Sequence, residues 1–103
     1  MRRLLSAVAS DETVGEAFDP ARPYEVDPRV AIRPEPFGAL AYHYGNRRLT
    51  FLRDAALVDL LRDLGAHASV DDAIDAAGVD AARRPAFRRA LRSLSESEVI
   101  RAR

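Results

Sequence analysis

Residues 33–52 read RPEPFGALAYHYGNRRLTFL, and this stretch decides the fold. Gly45-Asn46 stands between two runs rich in aromatic and β-favouring residues. Both residues tolerate positive φ, so the pair is a signal for a two-residue hairpin loop. With those two as the loop, Tyr44 faces Arg47, His43 faces Arg48, Tyr42 faces Leu49, Ala41 faces Thr50 and Leu40 faces Phe51. Alternation then puts Leu40, Tyr42, Leu49 and Phe51 on one apolar face and leaves a smaller, more polar face opposite. The expectation is that the rest of the chain covers the apolar face.

Upstream, YEVDPRVAIR (residues 24–33) places Val30 and Ile32 in alternation with Arg29, Ala31 and Arg33, as in a half-buried strand that Pro28 can begin. Pro34-Glu35-Pro36 ends it. Three antiparallel strands result, roughly 29–33, 38–44 and 47–52. Strands joined in sequence neighbour each other, so the order is 1-2-3 and the third strand lies on an edge. Residues 1–23, broken by Asp19-Pro20 and Arg22-Pro23, read as a mobile N-terminal arm, and residues 24–103 as a single domain.

Downstream the period changes to that of helices. Asp54 is an N-cap, Leu57, Leu60, Leu61 and Leu64 recur on one face, and Gly65 closes the end. A short second helix follows a Ser69 cap, with Ala73, Ile74 and Ala77 inward and Gly78 as its stop. The third has Pro85 in its first turn and a stripe of Phe87, Leu91 and Leu94, which Val99 or Ile100 extends. One apolar sheet face and three apolar helical faces make a two-layer α+β domain, a three-stranded antiparallel sheet followed by a three-helix bundle.

A chain of 103 residues has room for one modest core. With no cysteine it has no disulfide, no thiolate nucleophile and no cysteine-built metal site. The run from Leu4 to Ala9 is too short for a secretion signal, and no run approaches a membrane span, so the expected location is cytoplasmic. Formal charge sums to zero but is unevenly placed. Residues 54–80 carry seven acids against Arg62, net −6, and residues 81–103 carry seven arginines against Glu96 and Glu98, net +5.

Catalytic signals are missing. His43 and His67 have no carboxylate at a ligand or triad spacing and read as surface residues. Asp71, Asp72 and Asp75 are acids of a kind common at a helix N-terminus. There is no phosphate loop, nucleophile elbow or dinucleotide fingerprint, and no cofactor or metal is expected. The last helix is the sharpest feature. Arg84, Arg88 and Arg92 recur every four residues on one face, with Phe87, Leu91 and Leu94 on another.

Beside a purely solvated face, two uses compete: a winged-helix-like nucleic-acid-binding module, or one wall of a peptide groove whose other wall is the edge strand. The unpaired main chain of that strand can accept another strand, and Arg47 and Arg48 at its start can draw in an acidic peptide. Zero net charge disfavours nucleic acid, where phosphate contacts supply most of the affinity.

The segment RPEPFGAL with the following YHYGNRRL and FL, preceded by PYEVDPRVAI, resembles the MftB family of mycofactocin biosynthesis chaperones. These are small PqqD-like peptide-recognition domains (RiPP recognition elements), and the resemblance spans about residues 18–100. It implies a winged-helix-like arrangement without catalysis. Such a domain binds the leader of a precursor peptide (MftA-like) as an added strand and delivers it to a radical SAM maturase (MftC-like). The iron–sulfur cluster and S-adenosylmethionine belong to that enzyme, and a chain lacking cysteine could not hold a cysteine-ligated cluster. Carried over by position, the groove would be Arg47, Arg48, Leu49, Thr50, Phe51 and Leu52 on one side. On the other stand Phe87, Arg88, Leu91, Arg92 and Ser95. A homodimer through the unpaired edge or the outer sheet face is left open.

Overall fold

The structure, a computed structural model, describes residues 17–103. The chain forms β1 (Tyr24–Val26), β2 (Val30–Glu35), β3 (Gly38–His43), β4 (Leu49–Leu52), α1 (Ala55–Asp63), α2 (Val70–Ala76), α3 (Arg84–Glu96) and β5 (Ile100–Ala102). Short 3₁₀ turns at Leu64–Ala66 and Ala81–Arg83 lie between the helices.

Strands β2, β3 and β4 make one antiparallel sheet in the order 2-3-4, with β4 on an edge. The register follows the sequence pattern: Leu40 opposite Phe51, Ala41 opposite Thr50, Tyr42 opposite Leu49. The loop chemistry does not. Arg47, at φ 66, is the left-handed residue rather than Gly45 or Asn46. The Arg47 N–H donates to the His43 carbonyl at 2.8 Å and the His43 N–H to the Arg48 carbonyl at 3.0 Å. Residues 44–47 are therefore a four-residue loop. Asn46 acts through its side chain, whose Oδ1 accepts from the Arg48 N–H at 2.9 Å.

The covered face of the sheet is the opposite of the expected one. Ala39, Ala41 and His43 are buried, with Leu52 beside them, whereas Leu49 is 58% and Phe51 55% exposed. Helix α1 packs on β3 and β4. Alanines let its backbone approach closely, which a layer of Leu and Tyr would prevent. Gly38 belongs to the same close packing. It sits at φ 143, where a Cβ would come within 2.1 Å of the Leu52 carbonyl oxygen, so a side chain cannot be accommodated.

A second sheet joins the first and last strands: β1 pairs antiparallel with β5, Tyr24 opposite Ala102 and Val26 opposite Ile100. The single three-stranded sheet expected from sequence is thus corrected to two sheets of five strands in all. Val99 and Ile100 do not extend the α3 stripe. Glu98, at φ 68, turns the chain out of the helix, and the two β-branched residues enter the core after it, Val99 from the bend and Ile100 from β5.

Of the arm assigned to residues 1–23, residues 1–16 lie outside the described residues. Residues 18–22 lie against the domain: Phe18 stacks on Tyr24 at 5.1 Å, and the Pro20 and Arg22 carbonyls accept from the Asp71 and Val70 N–H groups at 3.0 and 3.1 Å.

The helix signals hold locally. Asp54 Oδ1 accepts from the Ala56 and Leu57 N–H groups, and Ser69 Oγ from that of Asp72. Pro85 lies in the first turn of α3, and Gly78, at φ 71, follows the end of α2. Gly65 instead lies within the 3₁₀ turn that extends α1, and Ala77 is exposed rather than inward. Leu61, Leu64, Val70, Ile74, Leu91, Val99 and Ile100 form the fully buried centre.

The acidic and basic halves of the sequence meet in space. Asp71 and Asp75, one turn apart on α2, pair with Arg88 and Arg84, one turn apart on α3, the first pair at 2.9 Å. Arg83 holds Asp54 at 2.6 Å. Three of the seven acids of residues 54–80 are thus paired with arginines of residues 81–103. Both partners of the Arg88–Asp71 pair are about 40% exposed, so the pair orients the helices and adds under ~1 kcal/mol.

Candidate functional site

The β4 edge and α3 run side by side in opposite directions and are tied at both ends. At the hairpin tip the Asn46 side-chain amide donates to the Ser97 carbonyl, at the C-terminus of α3, at 3.2 Å. At the other end the Arg83 guanidinium, just before α3, donates to Asp54, two residues past β4. The stretch between these clamps, with the β4 edge on one side and α3 on the other, is the candidate trough.

The main chain of β4 has a defined polarity. The His43 N–H donates to the Arg48 carbonyl, so that carbonyl and the N–H and C=O groups of residues 50 and 52 point into the sheet at the matching positions. Leu49 and Phe51 therefore turn theirs toward the trough. The opposite edge, β2, is poorer in donors. The Val30 N–H is bonded to Asp27 and Pro34 has none, which leaves Ile32.

The clamps also set the rotation of α3. At 100° per residue, the flank facing β4 carries Arg83, Ala86, Ala90, Ser93 and Ser97. Phe87 and Leu91, from the carried-over set, are 4% and 0% exposed and belong to the core beneath this flank. The Arg83 guanidinium lies 5.1 Å from the centre of the Phe87 ring. The other three fall on the opposite flank. Arg88 Nε donates to Asp71, while Arg92 and Ser95 line a hollow with Tyr24, Asp27 and Arg101.

On the strand side Leu52 is buried and Thr50 half-buried toward the core, with Leu49 and Phe51 on the outer face. Arg47 and Arg48 are exposed and make no ion pair among the described residues.

The sequence reading missed the clamp residues Asn46, Asp54, Arg83 and Ser97 as a set. Asp54 carried a signal of its own as a helix cap and Asn46 as a loop residue, but neither signal names its partner; the pairings span 29 and 51 residues.

His43, expected at the surface, is 1% exposed and organises the hairpin tip. Its Nδ1 accepts from the Gly45 and Asn46 N–H groups at 2.9 and 3.0 Å, which leaves the proton on Nε2, 3.9 Å from Asp27 Oδ2. Asp27 is itself 3% exposed and joins the two sheets. Its N–H donates to the Val99 carbonyl, and its carboxylate accepts from the Arg29 N–H, Nε and a terminal guanidinium nitrogen at 2.8–3.1 Å.

The Arg29 side-chain hydrogen bonds, over the opposing effect of burial, hold the Asp27 carboxyl at about 2, below its ordinary 3.8. A depressed carboxylate stabilises the fold above its unfolded-state value and loses that contribution as pH falls through the folded one. Thermal midpoints measured between pH 5 and pH 2 should fall. Asp27→Asn should flatten the part of the slope below pH 4, which carries about 1–2 kcal/mol after allowance for the exposure of Arg29.

Among the described residues no cluster of three or more His, Asp or Glu could hold a metal ion, and no helix is long and apolar enough to cross a membrane. No solved structure matches the chain.

Comparison with known proteins is specific. The profile of the Peptide chaperone MftB family matches residues 23–101. The chain is 40% identical over 102 residues to the peptide chaperone MftB of Mycobacterium ulcerans, covering 97% of this chain and 94% of that one. It is 39% identical over 83 residues to the proteins of the same name from Mycobacterium tuberculosis and Mycolicibacterium smegmatis. These alignments cover 81% of this chain and 76% and 81% of theirs. The matched region runs from β1 to β5 and includes both walls of the trough, and the chain belongs to the Peptide chaperone MftB family.

Proposed function

We propose that this protein is a non-enzymatic peptide chaperone of mycofactocin biosynthesis. It captures the leader region of the precursor peptide as a fourth strand on the β4 edge and delivers it to the radical SAM maturase. The observation that carries this reading is the clamped trough, in which an edge strand with outward N–H and C=O groups at Leu49 and Phe51 faces a helix flank of small residues. Main-chain bonds supply affinity in strand addition and side-chain pockets supply selectivity.

Ala86, Ala90, Ser93 and Ser97 leave room for a strand, Phe87 and Leu91 anchor that flank in the core, and Arg47 and Arg48 attract acidic leader residues. Arg88, Arg92 and Ser95 flank the trough from behind α3 rather than line it. The nucleic-acid reading loses its main support, because Arg84 and Arg88 of the basic ladder are engaged by Asp75 and Asp71.

Titration of the protein with the leader peptide should give saturable one-to-one binding with Kd between nanomolar and micromolar, about −8 to −12 kcal/mol. Amide exchange should slow at Leu49 and Phe51 in the complex. No binding of the full-length precursor sinks the reading.

A further inference from the structure

The side chains that β4 does not send into the core form a second surface. Leu40, Tyr42, Leu49 and Phe51 share the outer face of the sheet, and Phe37 and Tyr44 join them at its two ends. Phe37 packs on Phe51 at 5.7 Å and Tyr44 on Tyr42 at 4.8 Å. Phe37, Tyr44, Leu49 and Phe51 are the large apolar side chains that are exposed among the described residues, and all four lie here. Arg53 caps the patch, its guanidinium 5.6 and 5.5 Å from the Phe37 and Phe51 ring centres, with no carboxylate partner among the described residues. The one acid on this face, Glu35, is held by Arg33 at 3.0 Å.

We propose that this outer face is the docking surface for the maturase, and that the bound peptide completes it. The inference rests on the function proposed above. The charge pattern selects the occupant. An apolar surface edged by carboxylates would stack on the aromatic rings and pair with Arg53, whereas the one carboxylate that a second copy would bring on this face, Glu35, is already held by Arg33. Size points to a surface that the chaperone leaves incomplete. Three strands about 4.8 Å apart and some 20 Å long present roughly 300 Å², less than the roughly 800 Å² per partner of a stable interface, and an added strand enlarges it.

A leader added on β4 becomes the fourth strand of the same sheet, and its alternate side chains point to this same face. The enzyme thus meets a surface that is complete only when the chaperone is loaded. Peptide main chain and enzyme contact share one strand, through its edge and its outer side chains.

Hydroxyl-radical footprinting of the full chain decides the matter, with precursor alone, with the purified cluster-loaded radical SAM enzyme, and with both. Tyr42 and Tyr44 should keep their reactivity with precursor, become protected with enzyme, and be protected most with both. Arg53→Glu and Tyr42→Gln should weaken enzyme association by about tenfold or more while leaving precursor affinity within about twofold.

Full reactivity of both tyrosines in the three-component mixture overturns the proposal, as does unchanged enzyme association of both variants. Protection that grows with chaperone concentration alone assigns the face to a second copy instead. Failure of the native protein to bind precursor would remove the functional reading, while Tyr42 protection by enzyme alone still reports on this surface.

Discussion

Leu49→Pro is expected to weaken leader binding by roughly ten- to hundredfold while leaving the protein folded. Residue 49 begins β4, where a proline is tolerated, and its N–H faces the trough rather than β3. The substitution therefore removes a donor to the incoming peptide without cutting a bond inside the sheet. The peptide carbonyl opposite is left desolvated and unpaired, which costs about 1–3 kcal/mol.

Leu49→Ala separates this from loss of the side chain. It keeps the N–H and should retain most of the affinity. Isothermal titration with the leader measures both variants, and far-ultraviolet circular dichroism checks the fold. A folded Leu49→Pro protein that binds like the parent would place the peptide elsewhere, with the β2 edge the remaining candidate.

Ala41→Leu should be the most damaging conservative change on the sheet. Ala41 is 1% exposed under α1, on the face that small residues keep close to the helices. Three added carbons have no room, and overpacking of this kind costs about 1–3 kcal/mol, at the upper end here because backbone and not side-chain tips must move. For a domain of this size that lowers the thermal midpoint by roughly 10–20 °C. Phe51→Ser, on the opposite face at 55% exposure, should cost within about 1 kcal/mol. The reverse ranking in thermal melts would mean that the helices cover the large-residue face after all.

That ranking marks where the sequence pattern misleads. Alternation in residues 38–52 separates two faces and sets their register, because the period of a strand is a local property. It does not say which face is buried. Bulk favours Leu40, Tyr42, Leu49 and Phe51, but burial follows the fit between layers, and α1 fits against alanines. His43 went the same way. Read as a polar residue next to a turn it belongs at the surface, yet it shares the inner face with Ala41 and takes up the loop N–H groups.

The geometry of the candidate site was legible in outline and not in detail. An edge strand beside a mixed apolar and arginine helix follows from strand order and helical spacing. The face that α3 turns to the strand does not. The Arg84, Arg88 and Arg92 ladder stands out at four-residue spacing, but two of its members match Asp75 and Asp71 on α2. The flank of α3 turned toward β4 carries instead Arg83, Ala86, Ala90, Ser93 and Ser97, which have no pattern of their own.

By itself, the sequence of this protein determined what depends on near neighbours: the helix caps at Asp54 and Ser69, the stop at Gly78, the strand pairing of the hairpin, the edge position of β4 and the family resemblance. Only the tertiary structure decided which sheet face is covered, that the first and last strands pair as β1 and β5, and which flank of α3 faces β4. Those outcomes rest on contacts between residues about 30 to 80 positions apart, such as Asp54 with Arg83, Asn46 with Ser97 and Glu25 with Arg101. Their energies depend on how whole layers fit together, a quantity that no local window of residues contains.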